Sequence, residues 1–469
     1  MIGLFGTLDL GARSLSTQQK GVEVAGQNMA NVNNPAYARQ RLVIQADLSF
    51  ETPLGPQGTG VHAVAIQTTR DALIDRQVQG EASVTGYWEA QQRALQNTQS
   101  SLGEQIDSQQ TSRGVGTVGG MLDSLDGLAQ AFSAWAASPS STADRQAVLA
   151  KAQQLVGQFQ QTDARLEQLR VSLDESVQAE VVEANGLLAE IANINKQISR
   201  IGGPGGSGAN DLRDLRQQKV EQLSGMVNAE TAEDAQGLLN VSISGVLVVS
   251  GLQQVESLET YPEAGGNLMV RAASTDAPLT LTGGRLAGTL EARDGLVTST
   301  RASLNTIAST LIAEVNAVHA AGFDLNGGNG EAFFAGTNAA DIAVNQVLIQ
   351  DPARLQGSAV AGAAGDNRVA LRLAELMDTR QAALTNRTFA GDYSRVVAAV
   401  GESLSSTNSS LTNQKAVQGM LERQRQEVIG VSLDEEMTDL MRFQKAFQAS
   451  ARLVSTIDEM LTEVVNLKR

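Results

Sequence analysis

The chain has 469 residues, of which 42% are hydrophobic, a size and composition that can bury packed cores in about two to four domains. Its formal net charge of -16 argues against a nucleic-acid partner, because nucleic-acid binding requires a basic patch. The chain has no cysteine, which excludes disulfides and thiolate metal sites. No apolar run approaches the ~20 residues that span a bilayer, and no secretory signal is apparent. We therefore expect neither membrane insertion nor the general secretory route.

The first predicted element is an amphipathic helix with a heptad pattern. Its apolar positions alternate in steps of three and four residues, which is typical of a helix that pairs with another helix. This seam comprises Phe5, Leu8, Ala12, Leu15, Gln19, Val22, Gly26 and Met29.

Residues 26–40, "GQNMANVNNPAYARQ", are predicted to end this helix. Asn28 and Asn31 lie one turn apart on one face, and residues 31–34 tolerate the left-handed conformation that often ends helices. Pro35 cannot continue a helix, because it has no backbone N–H. The residues that follow are interpreted as a polar contact strip formed by Tyr37, Arg39 and Gln40. The plainer alternative is a local cap in which Tyr37 packs on its own helix.

The middle of the chain is predicted to be mostly helical. Residues 42–69 are β-branched and partly alternating, which indicates a short β segment. Helices are then predicted over residues 71–102, 118–137, 142–201, 212–226, 286–321, 366–377 and 393–427. The helix over 142–201 would be roughly 90 Å long at 1.5 Å per residue. "GGPGGSG" at 202–208 is interpreted as a flexible linker.

Residues 237–283 differ from their surroundings. "LLNVSISGVLVVSG" alternates and has Ser-Gly at its centre, which favours a β-hairpin. We interpret this region as a small β domain inserted into a helical protein. Residues 324–331 are predicted to form a turn, and residues 340–365 give no clear pattern.

The last segment is predicted to be a helix that begins after Ser432, with Glu435 completing a capping box. Its seam comprises Leu433, Met437, Leu440, Phe443, Phe447, Ser450, Val454, Ile457, Leu461 and Val464. Isolated helices of this kind are marginal in water. The N- and C-terminal helices are therefore predicted to pair with each other as a coiled coil.

Catalytic chemistry has little support in the sequence. His62 and His319 are the only histidines, and a metal site would need both together with distant carboxylates. The glycine-rich segment at 202–208 lacks the Lys-Ser or Lys-Thr of a phosphate loop. The acidic turn at 324–331 fails the EF-hand spacing. We therefore assign no catalytic, cofactor-binding or metal-binding residue, and we expect no cofactor and no enzyme activity.

The predicted fold is mainly α with a small inserted β domain, arranged as an elongated multi-domain rod. Residues 1–41 and 432–469 would form a terminal coiled-coil assembly domain. Residues 42–236 and 284–431 would form a helical bundle domain, with the short β segment near 42–69. Residues 237–283 would form the inserted β domain.

Two terminal motifs resemble a known family. "NMANVNNPAYARQ" resembles the N-terminal signature of bacterial flagellar rod, hook and hook-associated proteins, and "GVSLDEEMTDLMRFQKAFQASARLVSTIDEML" resembles the C-terminal signature of the same axial family. Interior segments are similar to members found between hook and filament: "DRQAVLAKAQQLVGQFQQTDARLEQLR", "LRDLRQQKVEQLSGMV", "NAVHAAGFDLNG", "EAFF" and "DNRVALRLAEL". The chain departs from the family at Ala36, where relatives often have glycine, and at Asn34, where many have threonine. The short 340–365 region implies that an additional outer domain of longer members is absent.

This resemblance implies a structural adaptor at the hook–filament junction of the bacterial flagellum. Such a protein would be exported unfolded by the type III apparatus to the cell exterior and would polymerise into a helical layer through its terminal helices. Its partners would be copies of itself, the hook protein, the second junction protein, and an export chaperone on the C-terminal helix. The alternatives are another axial protein, such as hook or distal rod, and a secreted enzyme carrying axial-type termini.

The assembly interface is predicted from the two seams and the helix-ending motif. It comprises Phe5, Leu8, Leu15, Val22, Met29, Asn28, Asn31, Pro35, Tyr37, Arg39, Gln40, Leu433, Met437, Leu440, Phe443, Phe447, Val454, Ile457, Leu461 and Val464.

Overall fold

The computed structural model describes residues 3–52, 55–103, 120–201, 209–263 and 266–466. The α-helices in these ranges are α1 (Leu4–Ala30), α2 (Ala72–Leu102), α3 (Met121–Ala137), α4 (Thr142–Ile201), α5 (Asn210–Met226), α6 (Gly284–Glu291), α7 (Thr298–Ala320), α8 (Gln346–Gln350), α9 (Arg368–Asp378), α10 (Phe389–Ile429) and α11 (Leu433–Asn466). A π-helical segment, Ala292–Val297, joins α6 to α7, and short 3-10 turns cover Pro352–Arg354 and Ala382–Leu384. No helix in the described part of the chain is long and apolar enough to cross a membrane.

The strands are β1 (Gln40–Ala46), β2 (Ser49–Thr52), β3 (Gly55–Gly58), β4 (Val61–Thr68), β5 (Ala229–Glu233), β6 (Leu239–Ile243), β7 (Val246–Ser250), β8 (Gln253–Gln254), β9 (Leu258–Pro262), β10 (Leu268–Ala272), β11 (Phe334–Ala335) and β12 (Ala343–Val344). Strands β5 to β8 form one antiparallel sheet in the order β5-β6-β7-β8, while β1–β4, β2–β3, β9–β10 and β11–β12 pair as two-stranded ladders. The mainly α fold with small β additions is thus confirmed.

Helix α4 passes through two hydrophobic cores and has the 60 residues that its uninterrupted pattern predicts. Its first half places Val148, Leu155 and Phe159 in a core with α3, α7, α9 and α10. Its second half places Val177 and Leu188 in a core with α5, α6 and the strands of the β insert. One long amphipathic helix therefore supports both the helical bundle and the β region.

The predicted hairpin is present between β6 and β7. Ser244 and Gly245 occupy its turn with φ values of 51° and 78°, the left-handed conformations that a two-residue hairpin of type I′ requires. The β region, however, begins with β5 at Ala229, upstream of the predicted start at 237. The segment "AETAE" has few β-branched residues, so its strand follows from pairing with β6 rather than from its own composition. The predicted linker at 202–208 lies outside the described residues.

The helix predicted over 286–321 is interrupted by the π-helical segment. This segment carries Arg293, which is fully buried. Its Nη1 donates to Asp174 Oδ1 on α4 at 2.6 Å and to the Leu268 carbonyl on β10 at 2.6 Å. The π turn is wider than an α-helical turn, and sequence periodicity does not predict it. It places the charged side chain of Arg293 between α4 and the β insert.

His319, one of the two histidines considered as metal ligands, is fully buried at the end of α7. Its Nε2 accepts a hydrogen bond from the Gln356 N–H at 3.0 Å, so Nδ1 carries the proton and donates to the Glu331 carbonyl at 2.7 Å. Burial lowers the pKa of this imidazole to about 4. The ring is therefore a neutral packing group that holds the turn-rich loop.

Glu180 is a second buried titratable group, at the crossing of α4 with α6. Its Oε1 lies 3.0 Å from Arg285 Nε, while Oε2 is buried with no hydrogen-bond partner in the described chain. Burial raises the pKa of this carboxyl to about 7, against the opposing charges of Arg285 and Arg93.

Candidate assembly site at the chain termini

Helices α1 and α11 pack against each other in antiparallel orientation. Gly11 faces Val454, the Ser14 and Ser450 hydroxyls lie 2.9 Å apart, and Gly21 faces the Phe443 ring. Residue numbers along the two helices run in opposite directions through these contacts. The predicted pairing of the two chain termini is therefore confirmed.

The face of α1 that contacts α11 is not the predicted apolar seam. The residues of α1 that are buried are Gly11, Thr17, Gly21, Val24, Ala25 and Asn28. None of the eight predicted seam residues is buried, and Phe5 is 75% exposed. The sequence prediction of this contact face was wrong by one residue position, or about 100° around the helix.

Close approach of the two backbones explains why small residues form the contact. A Cβ atom added at Gly21 would lie 2.6 Å from the Phe443 ring, and one added at Gly11 would lie 2.8 Å from Val454 Cγ2. Both distances are well below the ~3.5 Å of ordinary carbon contact. The signal was present in the sequence as a second heptad row of mostly small or polar side chains: Thr7, Gly11, Ser14, Gln18, Gly21, Ala25 and Asn28.

Another face of α1 contacts the β1–β4 ladder. Leu10 lies against Gly60, and the Thr17 hydroxyl lies 3.4 Å from the Val61 carbonyl. Leu8 lies two residues before Leu10, and Leu15 lies two residues before Thr17. On an α-helix this spacing points their side chains about 160° away from the β ladder. The apolar seam of α1 is thus left partly exposed, on the side of the helix that neither α11 nor the β ladder covers.

Helix α11 keeps most of its predicted seam on the inner side. Ile457 is buried, and the seam residues that are partly buried are Leu440, Phe443, Phe447, Ser450, Val454 and Leu461. Leu433, Met437 and Val464, in contrast, are 48%, 54% and 53% exposed.

Glu436, which is 2% exposed, takes the inward position that Met437 was predicted to occupy. It lies one heptad before Phe443, so the seven-residue repeat continues with a charged residue. A pattern of apolar residues does not predict an inward position that is occupied by a charged residue.

Asn28 is the centre of a buried polar junction at the end of α1. Its side chain makes four hydrogen bonds: Nδ2 donates to the Gln40 carbonyl and to Glu436 Oε2, each at 2.9 Å, and Oδ1 accepts from the Tyr37 hydroxyl at 2.8 Å and the Gln40 N–H at 3.0 Å. A buried amide with all its groups satisfied fixes the relative position of the segments that it joins.

Arg39 connects the same junction to α11. Its Nε donates to Glu436 Oε1 at 2.7 Å, and its Nη1 donates to Glu435 Oε2 at 2.6 Å. Glu435 is thus engaged by Arg39, and the capping box predicted with Ser432 is replaced by an ion pair between segments. The Ser432 carbonyl does accept from the Glu436 N–H, as at the start of a helix.

A third group of contacts joins the junction to the helical bundle. Gln40 Nε2 donates to Asp211 Oδ1 at 3.1 Å, and the Ala38 N–H donates to Asp214 Oδ2 at 3.0 Å, both on α5. Arg70, which precedes α2, pairs with Asp214 at 3.0 Å. Burial raises the pKa of the Asp214 carboxyl.

Tyr37 and Gln40 are therefore placed inside the chain, 6% and 4% exposed. Burial also raises the pKa of the Tyr37 hydroxyl. Tyr37, Arg39 and Gln40 were interpreted as a polar contact strip, and in this structure all three bind other parts of their own chain. The plainer alternative was closer, because Tyr37 does bond to its own helix.

The turn at Pro35 and Ala36 does not need glycine. The Tyr37 N–H donates to the Asn34 carbonyl at 3.1 Å, and the Ala36 N–H donates to Asn34 Oδ1 at 3.2 Å, which is an Asx turn. Ala36 is not among the residues with positive φ, so this turn suits an L side chain. The left-handed helix end predicted for residues 31–34 is likewise absent, since Asn31 has φ of -103°.

No group of three or more histidine or acidic side chains in the described ranges could hold a metal ion. His62 is nearly half exposed and lies 4.0 Å from Asp47. What the site offers is a buried polar junction, a small-residue contact between two helices, and an apolar seam on α1 directed outward.

The chain is similar to known proteins along most of its length. Residues 116–334 match the helical domain of flagellar hook-associated protein FlgK, and residues 417–467 match the C-terminal segment of the flagellar basal body rod FlgEFG proteins. The sequence is 25% identical to flagellar hook-associated protein 1 of Bacillus subtilis (strain 168), over 99% of each chain. It is 24% identical to the protein of that name from Escherichia coli (strain K12), over 97% of this chain and 98% of the relative.

A solved structure of the flagellar hook junction protein FlgK from Burkholderia pseudomallei has the same fold. It superposes with a TM-score of 0.63 over 75% of this chain and 100% of that chain, at 15% identity. The paired terminal helices and the two family matches define a flagellar axial protein. Within that class, the chain is similar over nearly its whole length to flagellar hook-associated protein 1.

Proposed function

We propose that this protein is a structural adaptor at the hook–filament junction of the bacterial flagellum, outside the cell, without a catalytic step. It would be exported unfolded and polymerise at the distal hook end as a layer between the hook protein and the second junction protein. The full-length similarity to hook-associated protein 1 supports this assignment over hook, distal rod or a secreted enzyme.

The observation that carries the assembly mechanism is the uncovered seam of α1. Pairing with α11 uses the small-residue face, so Leu8, Leu15, Val22 and Met29 remain partly exposed and Phe5 exposed. A heptad row of apolar residues along a whole helix fits the surface of another helix. We infer that this seam contacts a neighbouring subunit, while the small face holds the chain's own two ends together.

We divide the roles of the predicted interface residues accordingly. Asn28, Tyr37, Arg39 and Gln40 would act indirectly, by fixing the terminal helices on the bundle. Residues 1–41 and 432–469 would form the assembly domain, residues 42–236 and 284–431 the helical domain, and residues 237–283, extended upstream to β5, the outer β domain.

An export chaperone is proposed to bind α11. This helix exposes Met437, Met441 and Met460 by 50% or more even when α1 is in place. Flexible methionine side chains suit a surface that must serve two successive partners. We expect substitution of Met437 and Met441 by serine to weaken chaperone binding measured by calorimetry.

The test of the proposed function uses a strain lacking this protein, complemented with variants. Leu15→Asp and Val22→Asp should leave hooks without filaments, with monomeric filament protein in the medium, because a charge on the seam opposes helix packing. Lys20→Asp is the matched control, since Lys20 is exposed on α1 but lies off the seam. Circular dichroism should show unchanged helicity for all three variants.

Normal filaments with Leu15→Asp and Val22→Asp would contradict the assembly mechanism. Filament attachment in the uncomplemented strain would contradict the adaptor function itself. Deletion of residues 432–469 should give a folded bundle that cannot restore filaments.

A further inference from the structure

A cleft of about 880 Å³ opens beside the polar junction. Its walls are the end of β4, the first turns of α2, the first turns of α5, and the strand β5 with the turn that follows it. Arg70 belongs to both features, because its guanidinium pairs with Asp214 of the junction and with Asp75 of the cleft wall. The cleft therefore lies directly next to the segment that joins the terminal helices to the bundle.

The cleft contains arginine and carboxylate side chains in nearly equal number. Four guanidinium groups line it, those of Arg70, Arg76, Arg213 and Arg216, together with the carboxylates of Asp75, Glu233 and Asp234. Carboxylates already pair with Arg70 and Arg216, which leaves Arg76 as a positive charge that can attract an acidic group.

Arg76 is the guanidinium best placed to receive an acidic ligand. Its Nε donates to the Ala72 carbonyl of its own helix at 3.2 Å. It forms no ion pair with any carboxylate of the described residues, and it is exposed. Arg216, by comparison, is buried and already bound to Glu233 at 3.0 Å.

The other wall of the cleft is the edge of a sheet. Strand β5 is outermost in the order β5-β6-β7-β8, so one of its edges has no strand partner in the described chain, and Thr231, Ala232 and Glu233 line the cleft. Edge strands present backbone N–H and C=O groups to any extended chain that approaches. Free phosphate is a poorer fit at α2, because Asp71 already accepts from the N–H groups of Leu73 and Ile74.

We propose that the cleft receives an extended acidic segment of a second copy of this chain, which aligns along β5 and places a carboxylate on Arg76. This inference rests on the proposed function, since polymerisation brings second copies into contact. The chain has 51 acidic and 35 basic residues, so a second copy carries many carboxylates that could pair with Arg76. Occupation of the cleft would connect neighbouring subunits beside the joint between terminal helices and bundle.

The test is photo-crosslinking in assembled flagella. Ala232→p-benzoylphenylalanine places the probe in the cleft, and Leu247→p-benzoylphenylalanine is the control on an exposed position of the same sheet. After irradiation we expect an adduct of two copies from position 232, with an acidic peptide identified by mass spectrometry, and none from position 247. Should substitution at Ala232 itself prevent filament attachment, Gln67→p-benzoylphenylalanine on the opposite wall replaces it.

Charge dependence gives the second arm of the test. Arg76→Glu should reduce the yield of the two-copy adduct about tenfold, as expected for loss of one charge-assisted contact, and Arg76→Lys should retain most of it. No adduct, an adduct with residues 202–208 of the same chain, an adduct with a different protein, or a yield unaffected by Arg76→Glu would each overturn the inference. Filament attachment in the same cells reports separately on the proposed adaptor function.

Discussion

Substitution of two glycines in α1 tests which face of this helix meets α11. Gly21 lies against Phe443, where an added Cβ would be 2.6 Å from the ring, whereas Gly26 has no atom within 4 Å of such a Cβ. Gly26 belongs to the apolar seam and Gly21 does not. Replacing each by alanine gives two variants with the same gain of about 1 kcal/mol in helix propensity.

The difference between the two variants isolates the steric overlap. Overpacking a close contact typically costs about 1–3 kcal/mol, so Gly21→Ala should be less stable than Gly26→Ala by that amount. Hydrogen exchange of the α1 and α11 amides is the suitable assay, because the terminal helices can open without unfolding of the bundle. We expect the hydrogen-exchange protection of these amides to be lower in Gly21→Ala than in Gly26→Ala by a factor of about 5–150. Equal protection, or lower protection for Gly26→Ala, would refute the assignment of the contact face.

Three further predictions concern buried polar groups. Asn28→Ala should destabilise the terminal helices by about 3 kcal/mol in hydrogen exchange, because it removes the hydrogen-bond partner of the Tyr37 hydroxyl and of Glu436 Oε2, whereas Asn31→Ala should cost less than about 1 kcal/mol. Because the pKa of His319 is lowered to about 4, the free energy of unfolding should fall by about 3 kcal/mol as the pH drops from 6.5 to 4, and urea titrations of His319→Asn should not show this loss. The pKa of Glu180 is raised to about 7, so stability should fall as the pH rises from 4.5 to 7; Glu180→Gln should then unfold at a higher temperature than the unsubstituted chain at pH 8 but not at pH 4.5.

Local sequence patterns were sufficient for the elements that depend on neighbouring residues. The 60-residue α4 follows from continuous periodicity, and the β6–β7 hairpin follows from Ser244 and Gly245 in a two-residue turn. The heptad patterns also predicted that the terminal helices pair, although they did not predict the face of α1 that makes the contact. Helix α4 and the β6–β7 hairpin depend on residues close together in the chain, which is the range over which propensity and periodicity act.

The parts that sequence reasoning missed depend on contacts between distant segments. Leu15 and Val22 were predicted to lie on the inner face of α1 because they are hydrophobic. Close packing of two helices instead favours small residues, here Gly11 and Gly21. Glu436 can occupy a buried position on α11 because Asn28 and Arg39, some 400 positions earlier, donate hydrogen bonds to its carboxylate. No single-segment pattern contains that information.

The most direct test of the central claim is a disulfide between the two chain ends, since the native chain contains no cysteine. The Ser14 and Ser450 hydroxyls lie 2.9 Å apart, so Ser14→Cys with Ser450→Cys should oxidise within one chain, while Leu15→Cys with Ser450→Cys should not. We predict a near-complete intrachain disulfide in assembled flagella that still carry filaments. A disulfide between two copies, or loss of filaments on oxidation, would contradict the claim that the small face joins the chain's own ends and leaves the apolar seam for assembly.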